Sequence, residues 1–193
     1  MGKGAFWVIA GPNGVGKTTY AFAHLKQAAG TVRFVNLDEI ARGLSPLEPA
    51  LAERDAARIA IDRAHAFIAD GVTFAMETTL SGRTHFHLAE QARTAGLDVN
   101  LHYFSVADPQ ICLDRIARRV AMGGHDVPAN VVARRLERSA DNVRAFARLC
   151  TLWRIFESST LPPKLAAEGR GGKTVFVDPD VRDRLHSALR AWI

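Results

Sequence analysis

The sequence predicts an α/β fold in which helices cover both faces of a mostly parallel sheet. Short apolar runs of four to seven residues alternate along the chain with longer segments of helical periodicity. Strands that are apolar throughout are typical of parallel sheets buried between helices. The chain has 193 residues, of which 48% are hydrophobic, and this is the size of a typical single domain. We therefore expect one domain over residues 1–193.

The predicted elements follow one another in regular order. Strands are expected near residues 6–10, 32–36, 72–76, 99–105, 152–157 and 173–177. Helices are expected at residues 17–29, 50–70, 83–96, 108–122, 129–149 and 179–192. The segment 161–172 contains pairs of prolines and glycines and is predicted to be a surface loop. These elements predict a sheet of five or six strands.

A glycine-rich loop joins the first predicted strand to the first predicted helix. Gly11, Gly16, Lys17 and Thr18 have the spacing of a phosphate loop, whose backbone amides curl around phosphate groups. In such loops the lysine reaches the outer phosphates and the hydroxyl binds Mg²⁺. The sequence therefore predicts a P-loop NTPase that binds ATP or another nucleoside triphosphate, with Thr18 as metal ligand. The expected nucleotide-binding residues are Gly11, Pro12, Asn13, Gly14, Val15, Gly16, Lys17, Thr18 and Thr19.

Asp38 follows the second predicted strand directly. Because ligands bind outside the carboxyl ends of parallel strands, Asp38 is a candidate general base and acceptor contact. The alternative is that Asp38 caps a helix beginning at Glu39, since aspartate is a favoured N-cap residue. Both interpretations stay open on the sequence alone.

A second carboxylate, Glu77, follows the third predicted strand. The segment from Glu77 to Arg83 adds hydroxyl groups, including that of Thr79, and this mixture suits a polyhydroxylated substrate. Glu77, Thr79 and Arg83 are therefore expected to bind the acceptor. Glu77 has two alternatives, which are to hold Mg²⁺ beside the phosphate loop or to cap a helix.

The positive charge of the chain is concentrated in residues 115–148. That segment contains eight arginines against three acidic residues, whereas the whole chain has a net charge of +5. Two predicted arginine-rich helices are joined there through Gly123 and Gly124, so residues 115–138 are expected to form a helical lid that closes over the triphosphate. Guanidinium groups bind phosphate in a bidentate manner and stabilise the charge of phosphoryl transfer. His125 between the helices is either a phosphate or substrate contact or, as we prefer, a solvent-exposed loop residue.

Composition excludes several classes of protein. The two cysteines, Cys112 and Cys150, lie in or beside apolar helical patterns, so neither a disulfide framework nor a cysteine-based zinc site is indicated. No apolar run reaches the length of a membrane span. We therefore expect a cytoplasmic protein with no membrane partner. Phe146 is the sole aromatic residue among the clustered arginines, which argues against a nucleic-acid partner.

Together, four segments resemble the zeta-toxin-like group of P-loop kinases. These segments are residues 11–19, 36–38, 77–80 and 123–128, and the resemblance extends over roughly residues 5–158. It implies a five-stranded parallel core and an ATP- and Mg²⁺-dependent kinase that phosphorylates a hydroxyl group. In the toxins the acceptor is a UDP-N-acetylated amino sugar. The chain lacks the long insertions of full-length zeta toxins, and nothing in it identifies an antitoxin partner.

The resemblance also implies roles for individual residues. Asp38 corresponds to the base, and Glu77 and Thr79 correspond to substrate contacts. The catalytic cations besides Lys17 correspond to Arg119 with Arg134 or Arg135. The sequence thus predicts a phosphotransferase with a small-molecule alcohol as acceptor. Two alternatives stay open, a polynucleotide 5′-kinase and a nucleotide-dependent switch or binding module that does not phosphorylate an acceptor.

Overall fold

A computed structural model describes residues 3–31, 33–124 and 126–193. Within these ranges one sheet contains the strands β1 (Ala5–Ala10), β2 (Phe34–Val35), β3 (Phe74–Thr78), β4 (Asp98–Ser105), β5 (Leu152–Glu157), β6 (Lys164–Arg170) and β7 (Lys173–Val177). The helices are α1 (Lys17–Ala29), α2 (Leu37–Leu44), α3 (Glu53–Ala69), α4 (Thr84–Thr94), α5 (Gln110–Ala121), α6 (Ala129–Ala147), α7 (Pro179–Arg182) and α8 (Ser187–Arg190), and a 3₁₀ turn at Pro49–Ala52 precedes α3. Among the helices formed by the described residues, none has the length and apolar character needed to cross a bilayer.

The strand order in the sheet is β2-β3-β1-β4-β5-β6-β7. The strands β1 to β5 pair in parallel, and β6 and β7 pair antiparallel at one edge. The predicted α/β class with a mostly parallel sheet between helices is confirmed. Because β3 and β4 flank β1, the loop after β1 opens at the crevice where ligands bind in such sheets.

The central strand β1 is buried on both faces. Phe6, Val8 and Ala10 belong to the apolar cluster on one face, and Trp7 and Ile9 belong to the cluster on the other. This alternation follows from the two-residue period of a strand, and each face is covered by helices. The start of the phosphate loop is therefore fixed by packing on both sides.

The predicted loop at residues 161–172 is wrong, because residues 164–170 form β6. Its prolines precede the strand and its glycines form the turn into β7, so both pairs lie outside the element. Ala166 and Ala167 are fully buried, and the Trp153 indole Nε1 donates a hydrogen bond of 2.9 Å to the Gly171 carbonyl. No side chain fits at Gly169, because the ring of Trp153 lies against the strand there. The sheet thus has more strands than the five or six predicted.

Replacement of Gly169 by alanine is expected to lower the free energy of unfolding by about 1–3 kcal/mol. A Cβ atom at Gly169 would overlap the Trp153 ring and the Lys173 carbonyl. Gly43→Ala is the matched control, because Gly43 lies in α2 with no atom within 4 Å of the added methyl group. The control is expected to stabilise the protein by about 0.5–1 kcal/mol. Urea denaturation measures both, and equal midpoints would contradict the packing assigned to Gly169.

Other boundaries differ locally from the predictions. The last predicted helix, 179–192, is divided into α7 and α8, because the His186 side chain accepts a hydrogen bond from the Ala188 amide and starts a new helix. The predicted second strand is shorter, and its residue Val32 lies outside the described residues. His125, the histidine between the lid helices, also lies outside them. The two arginine-rich helices predicted for the lid are α5 and α6, and their bounds are close to the predicted ones.

Candidate active site

The phosphate loop, residues 11–18, connects β1 to α1. Gly16 has a left-handed backbone (φ 102°) and is the N-cap residue of α1, where no side chain makes a capping hydrogen bond. Gly14 is also left-handed (φ 77°), and a Cβ there would overlap the Cys112 carbonyl. The uncapped amides at this helix end form a site of positive potential that is suited to phosphate.

Lys17 begins α1 and is almost fully buried. Its Nζ donates a hydrogen bond of 3.0 Å to the Pro12 carbonyl and lies 3.6 Å from Glu77 Oε1. The ammonium group is thus held across the loop beside a carboxylate of the neighbouring strand. This position is within reach of phosphate groups bound by the loop.

Glu77 lies in β3, and its position is opposite Ile9 of β1. Its Oε2 accepts hydrogen bonds from Thr18 Oγ1 at 2.8 Å and from Asn36 Nδ2 at 2.9 Å. The helix-capping alternative for Glu77 is therefore wrong, since Glu77 belongs to a strand and α4 begins at Thr84. Instead, the carboxylate joins the ends of β2 and β3 to the phosphate loop.

The pair Thr18 and Glu77 has the chemistry of a magnesium site. Mg²⁺ prefers oxygen ligands and is usually held by one or two protein groups together with the phosphates of the substrate. A hydroxyl and a carboxylate oxygen lie 2.8 Å apart beside Lys17, so the donor set fits this cation. Among the described residues, no cluster of three or more His, Cys, Asp or Glu is arranged to hold a metal by itself.

Asn36, not Asp38, caps α2. The Asn36 Oδ1 accepts hydrogen bonds from the amides of Asp38 (2.9 Å) and Glu39 (3.2 Å). The capping alternative for Asp38 is therefore wrong. Its exposed carboxylate stands in the first turn of α2, where the helix dipole stabilises the negative charge.

A cavity of about 410 Å³ lies at the carboxyl ends of the central strands. Its wall contains six of the residues predicted for the site, which are Asn13, Lys17, Asp38, Glu77, Thr79 and Arg135. Arg83 is not among the described residues of the wall. Its guanidinium lies 4.1 Å from the centre of the Phe86 ring, on the surface beside α4.

The arginines of the predicted lid occupy different environments. Arg135 is partly buried, and its Nη1 donates a hydrogen bond of 3.0 Å to Asn13 Oδ1 in the phosphate loop. Arg119 lies on the wall of a neighbouring cavity of about 690 Å³ that also includes Asp38. Arg134 is exposed and lines neither cavity. The structure therefore brings Arg135 to the loop and leaves Arg134 outside it.

Ser158 and Arg115 hold the Val15 carbonyl of the phosphate loop, a role that the sequence did not indicate for either residue. Ser158, at the end of β5, donates a hydrogen bond of 2.7 Å to this oxygen, and Arg115 Nη1 lies 3.4 Å from it. Arg115 also donates to the Ser159 carbonyl at 3.0 Å. Arg115 therefore fixes the loop backbone. The position of Ser158 directly after an apolar strand was the pattern that could have found it.

Comparison with known proteins identifies the family. A family model described as an AAA domain matches residues 6–145. The chain belongs to this AAA domain family. An uncharacterized protein of Haemophilus influenzae is 36% identical to this chain over 122 residues, which are 63% of this chain and 85% of that protein.

Solved structures share the fold of this AAA domain at low identity. A complex of AvrRxo1-ORF1 and AvrRxo1-ORF2 with ATP contains a chain that is 18% identical, with a TM-score of 0.73 over 96% of this chain. This chain spans 64% of that chain's length. The PezAT toxin-antitoxin system of Streptococcus pneumoniae gives a TM-score of 0.72 at 13% identity, over 96% of this chain and 79% of the other. A gluconokinase from Sinorhizobium meliloti gives 0.50 at 16% identity, over 82% and 84%. This chain therefore shares the fold of these proteins, which include a kinase.

His85 is a residue of the cavity wall that the sequence analysis missed. Its Nδ1 lies 3.1 Å from Thr78 Oγ1, and its buried Nε2 has no hydrogen-bond partner among the described residues. Burial lowers the pKa of His85 to about 4, so the ring is neutral at neutral pH. Its place in the first turn of α4, just after the Glu77 segment, was the pattern that could have found it.

The stability of the AAA domain is expected to fall as the pH drops from about 6.5 towards 4. In that range His85 binds a proton in the unfolded chain and stays neutral in the folded one, so acid favours unfolding. At pH 5 this residue is expected to lower the free energy of unfolding by about 2 kcal/mol. Urea denaturation at pH 7 and pH 5 tests this difference. The His85→Asn variant is expected to lose less stability between these pH values than the wild type. An unchanged pH dependence in this variant would contradict the neutral state of His85.

Proposed function

We propose that this AAA domain transfers the terminal phosphoryl group of ATP to a hydroxyl group of a small molecule. The observation that carries the proposal is that Lys17, Asp38 and Arg135 line one cavity beside the phosphate loop. The cavity volume of about 410 Å³ falls in the range of about 300–1,000 Å³ that is typical of small-molecule sites. The kinase-like fold, the gluconokinase and the ATP complex among its structural neighbours support the same class of reaction.

The phosphate loop forms the donor side in this proposal. The amides of residues 11–19 bind the phosphates, and Lys17 reaches the outer ones. Thr18 and Glu77 would hold Mg²⁺, which supplies charge neutralisation between the phosphates when it is bound. The contacts of Glu77 with Thr18 and Lys17 favour this role over the predicted contact with the acceptor.

Asp38 acts as the base on the acceptor side. It accepts the proton of the acceptor hydroxyl while that oxygen bonds to the γ-phosphorus and the bond to the bridging oxygen of ADP breaks. Thr79, in the same cavity, contributes a hydroxyl to acceptor binding. Arg83 would join this set only if its side chain left the Phe86 ring.

Arg135 is the lid cation that this geometry favours for the transferred phosphoryl group, because it already contacts Asn13 of the loop. Arg119 lines the neighbouring cavity and would approach the phosphoryl group from that cavity. The predicted role of Arg134 would require rotation of α6, since its side chain is exposed. Charge placed around the phosphoryl group in this way accounts for much of the catalysis in such enzymes.

The test is acceptor-dependent consumption of ATP with Mg²⁺ across a panel of hydroxylated compounds. The panel contains UDP-N-acetylglucosamine, which is the kind of acceptor implied by the zeta-toxin resemblance, together with free sugars, nucleosides and a single-stranded oligonucleotide with a 5′-hydroxyl. ADP release that depends on a small acceptor supports the proposal. Turnover of the oligonucleotide alone would favour a polynucleotide kinase. Slow hydrolysis with no acceptor dependence would favour a switch or binding module.

A further inference from the structure

A second cavity, of about 690 Å³, adjoins the one beside the phosphate loop. Asp38 and Glu53 line both cavities, so a molecule whose hydroxyl reached Asp38 would extend into the larger one. We call this larger space the lid groove, because α2 and the residues before α3 form one side. The described residues of its other side are Arg119, Met122, Gly123, Gly124 and Asp126. The charged and apolar side chains of the lid groove therefore influence which acceptors the protein can bind.

The charge of the lid groove is opposite to that of the chain. Four carboxylates, on Asp38, Glu48, Glu53 and Asp126, line its described wall together with the guanidinium groups of Arg42 and Arg119, which gives a net charge of −2 at neutral pH. The whole chain has a net charge of +5. An anionic acceptor would therefore meet an unfavourable potential there, and a cationic acceptor a favourable one.

Two large apolar side chains stand exposed in the same wall. Leu47 is 101% exposed and Met122 is 81% exposed, and they belong to opposite sides of the lid groove. Exposed apolar residues that line a cavity with a polar rim are typical of a ligand-binding groove. This observation is independent of the charges and indicates that the ligand has an apolar part.

We infer that the lid groove binds an acceptor that is a hydroxylated amine with an apolar portion. Its ammonium group pairs with the exposed carboxylates of Glu48 and Asp126. Its apolar portion lies between Leu47 and Met122, and its hydroxyl reaches Asp38. This inference rests on the proposed phosphotransfer and specifies its substrate class. It disfavours a diphosphate-containing sugar, whose negative charge would lie against Glu48 and Asp126.

Three compounds with the same carbon skeleton provide the test. Phenylalaninol carries an amine, 3-phenylpropane-1,2-diol carries a second hydroxyl in its place, and phenyllactate carries a carboxylate. Binding is measured by titration calorimetry in the presence of a non-hydrolysable ATP analogue, and turnover is measured with ATP. Phenylalaninol is expected to bind at least about tenfold more tightly than the diol, with phenyllactate the weakest. Added salt is expected to reduce the preference.

The double variant Glu48→Gln and Asp126→Asn tests the origin of the preference. Both side chains are exposed, and an asparagine at position 126 can still accept the hydrogen bond that Asp126 Oδ1 receives from the Val127 amide. The variant is expected to bind phenylalaninol and the diol about equally. Asp62→Asn, an exposed charge change on α3 that is absent from the groove wall, is the matched control and is expected to retain the preference.

The outcomes separate this inference from the proposed function. Charge-dependent binding of phenylalaninol that the double variant removes supports the inference, and if no acceptor is then phosphorylated, the phosphotransfer proposal alone fails. Phosphorylation of neutral or anionic acceptors with no preference for the amine overturns the inference and leaves the kinase. Equal binding of the three compounds, or a preference that the double variant retains, also overturns it.

Discussion

The Asp38→Asn variant is expected to have a kcat about 10²- to 10⁴-fold below that of the wild type, with an unchanged Kd for ATP. The amide has nearly the same shape as the carboxylate but cannot accept the proton of the acceptor hydroxyl. Asn36 rather than Asp38 caps α2, so the substitution leaves the helix start intact. Steady-state turnover with a panel acceptor and calorimetric titration with ATP measure the two quantities.

Glu39→Gln is the matched control for this prediction. Glu39 is the next residue of α2, is exposed, and lies 3.5 Å from Arg42 on the surface. Its turnover is expected to remain within about twofold of the wild type, since exposed ion pairs contribute little. A kcat for Asp38→Asn within tenfold of the wild type would show that Asp38 is not the base. Loss of ATP binding in this variant would instead place Asp38 on the donor side.

The phosphate loop was predictable because local sequence determines it. Gly16 and Gly14 have the left-handed backbones that glycine adopts without strain, and the flanking apolar run and helical pattern lie within a few residues. The predicted helix at 17–29 coincides with α1. Where an element depends on its immediate neighbours in this way, sequence is sufficient.

The strand-end position of Glu77 was predictable, but its partners were not. Parallel strands end at the same edge of a sheet, so carboxylates after strands two and three were expected to face a common site. The bonds from Asn36 and Thr18 to Glu77 depend on the order of the strands, with β3 between β2 and β1. That order is a tertiary property, and the sequence left three roles open for Glu77.

Strand β6 was missed because its sequence does not look like a strand. Alanine and glycine have low strand propensity, yet Ala166 and Ala167 are fully buried in the sheet. At Gly169 the Trp153 ring leaves no room for a side chain. Contacts distant in the chain overrode local preference. The hairpin with β7 then adds two antiparallel strands to a parallel core.

The roles of the lid arginines depended on which face of α6 is buried. The sequence placed Arg134 and Arg138 on one face, four residues apart, but did not show whether that face is buried or exposed. The buried residues Val132, Leu136 and Val143 define the inner stripe. Arg135 lies at its border and Arg134 lies nearly opposite, as the 100° rotation per residue requires. The apolar spacing of α6 was therefore the pattern that distinguishes the two neighbouring arginines.

The Arg135→Ala variant is expected to lower kcat by about 10³-fold or more, as loss of a phosphoryl-stabilising arginine does in related reactions. Arg135 is partly buried and donates to Asn13 Oδ1 at 3.0 Å, so its charge already lies beside the loop that binds the phosphates. Arg134→Ala removes the same charge one residue away, on the exposed face, and is expected to leave kcat within about threefold of the wild type. Single-turnover measurements at saturating ATP separate this chemical step from product release.

The two substitutions test the geometry of the lid because they differ in position and not in charge. Equal losses of kcat in both variants would show that α6 rotates during closure and that both guanidinium groups reach the phosphoryl group. A loss confined to Arg134→Ala would overturn the role of Arg135. A rise in the Kd for ATP with unchanged kcat in Arg135→Ala would mean that the Asn13 contact shapes the loop for nucleotide binding, because the interaction would then be equally strong in the ground state and the transition state.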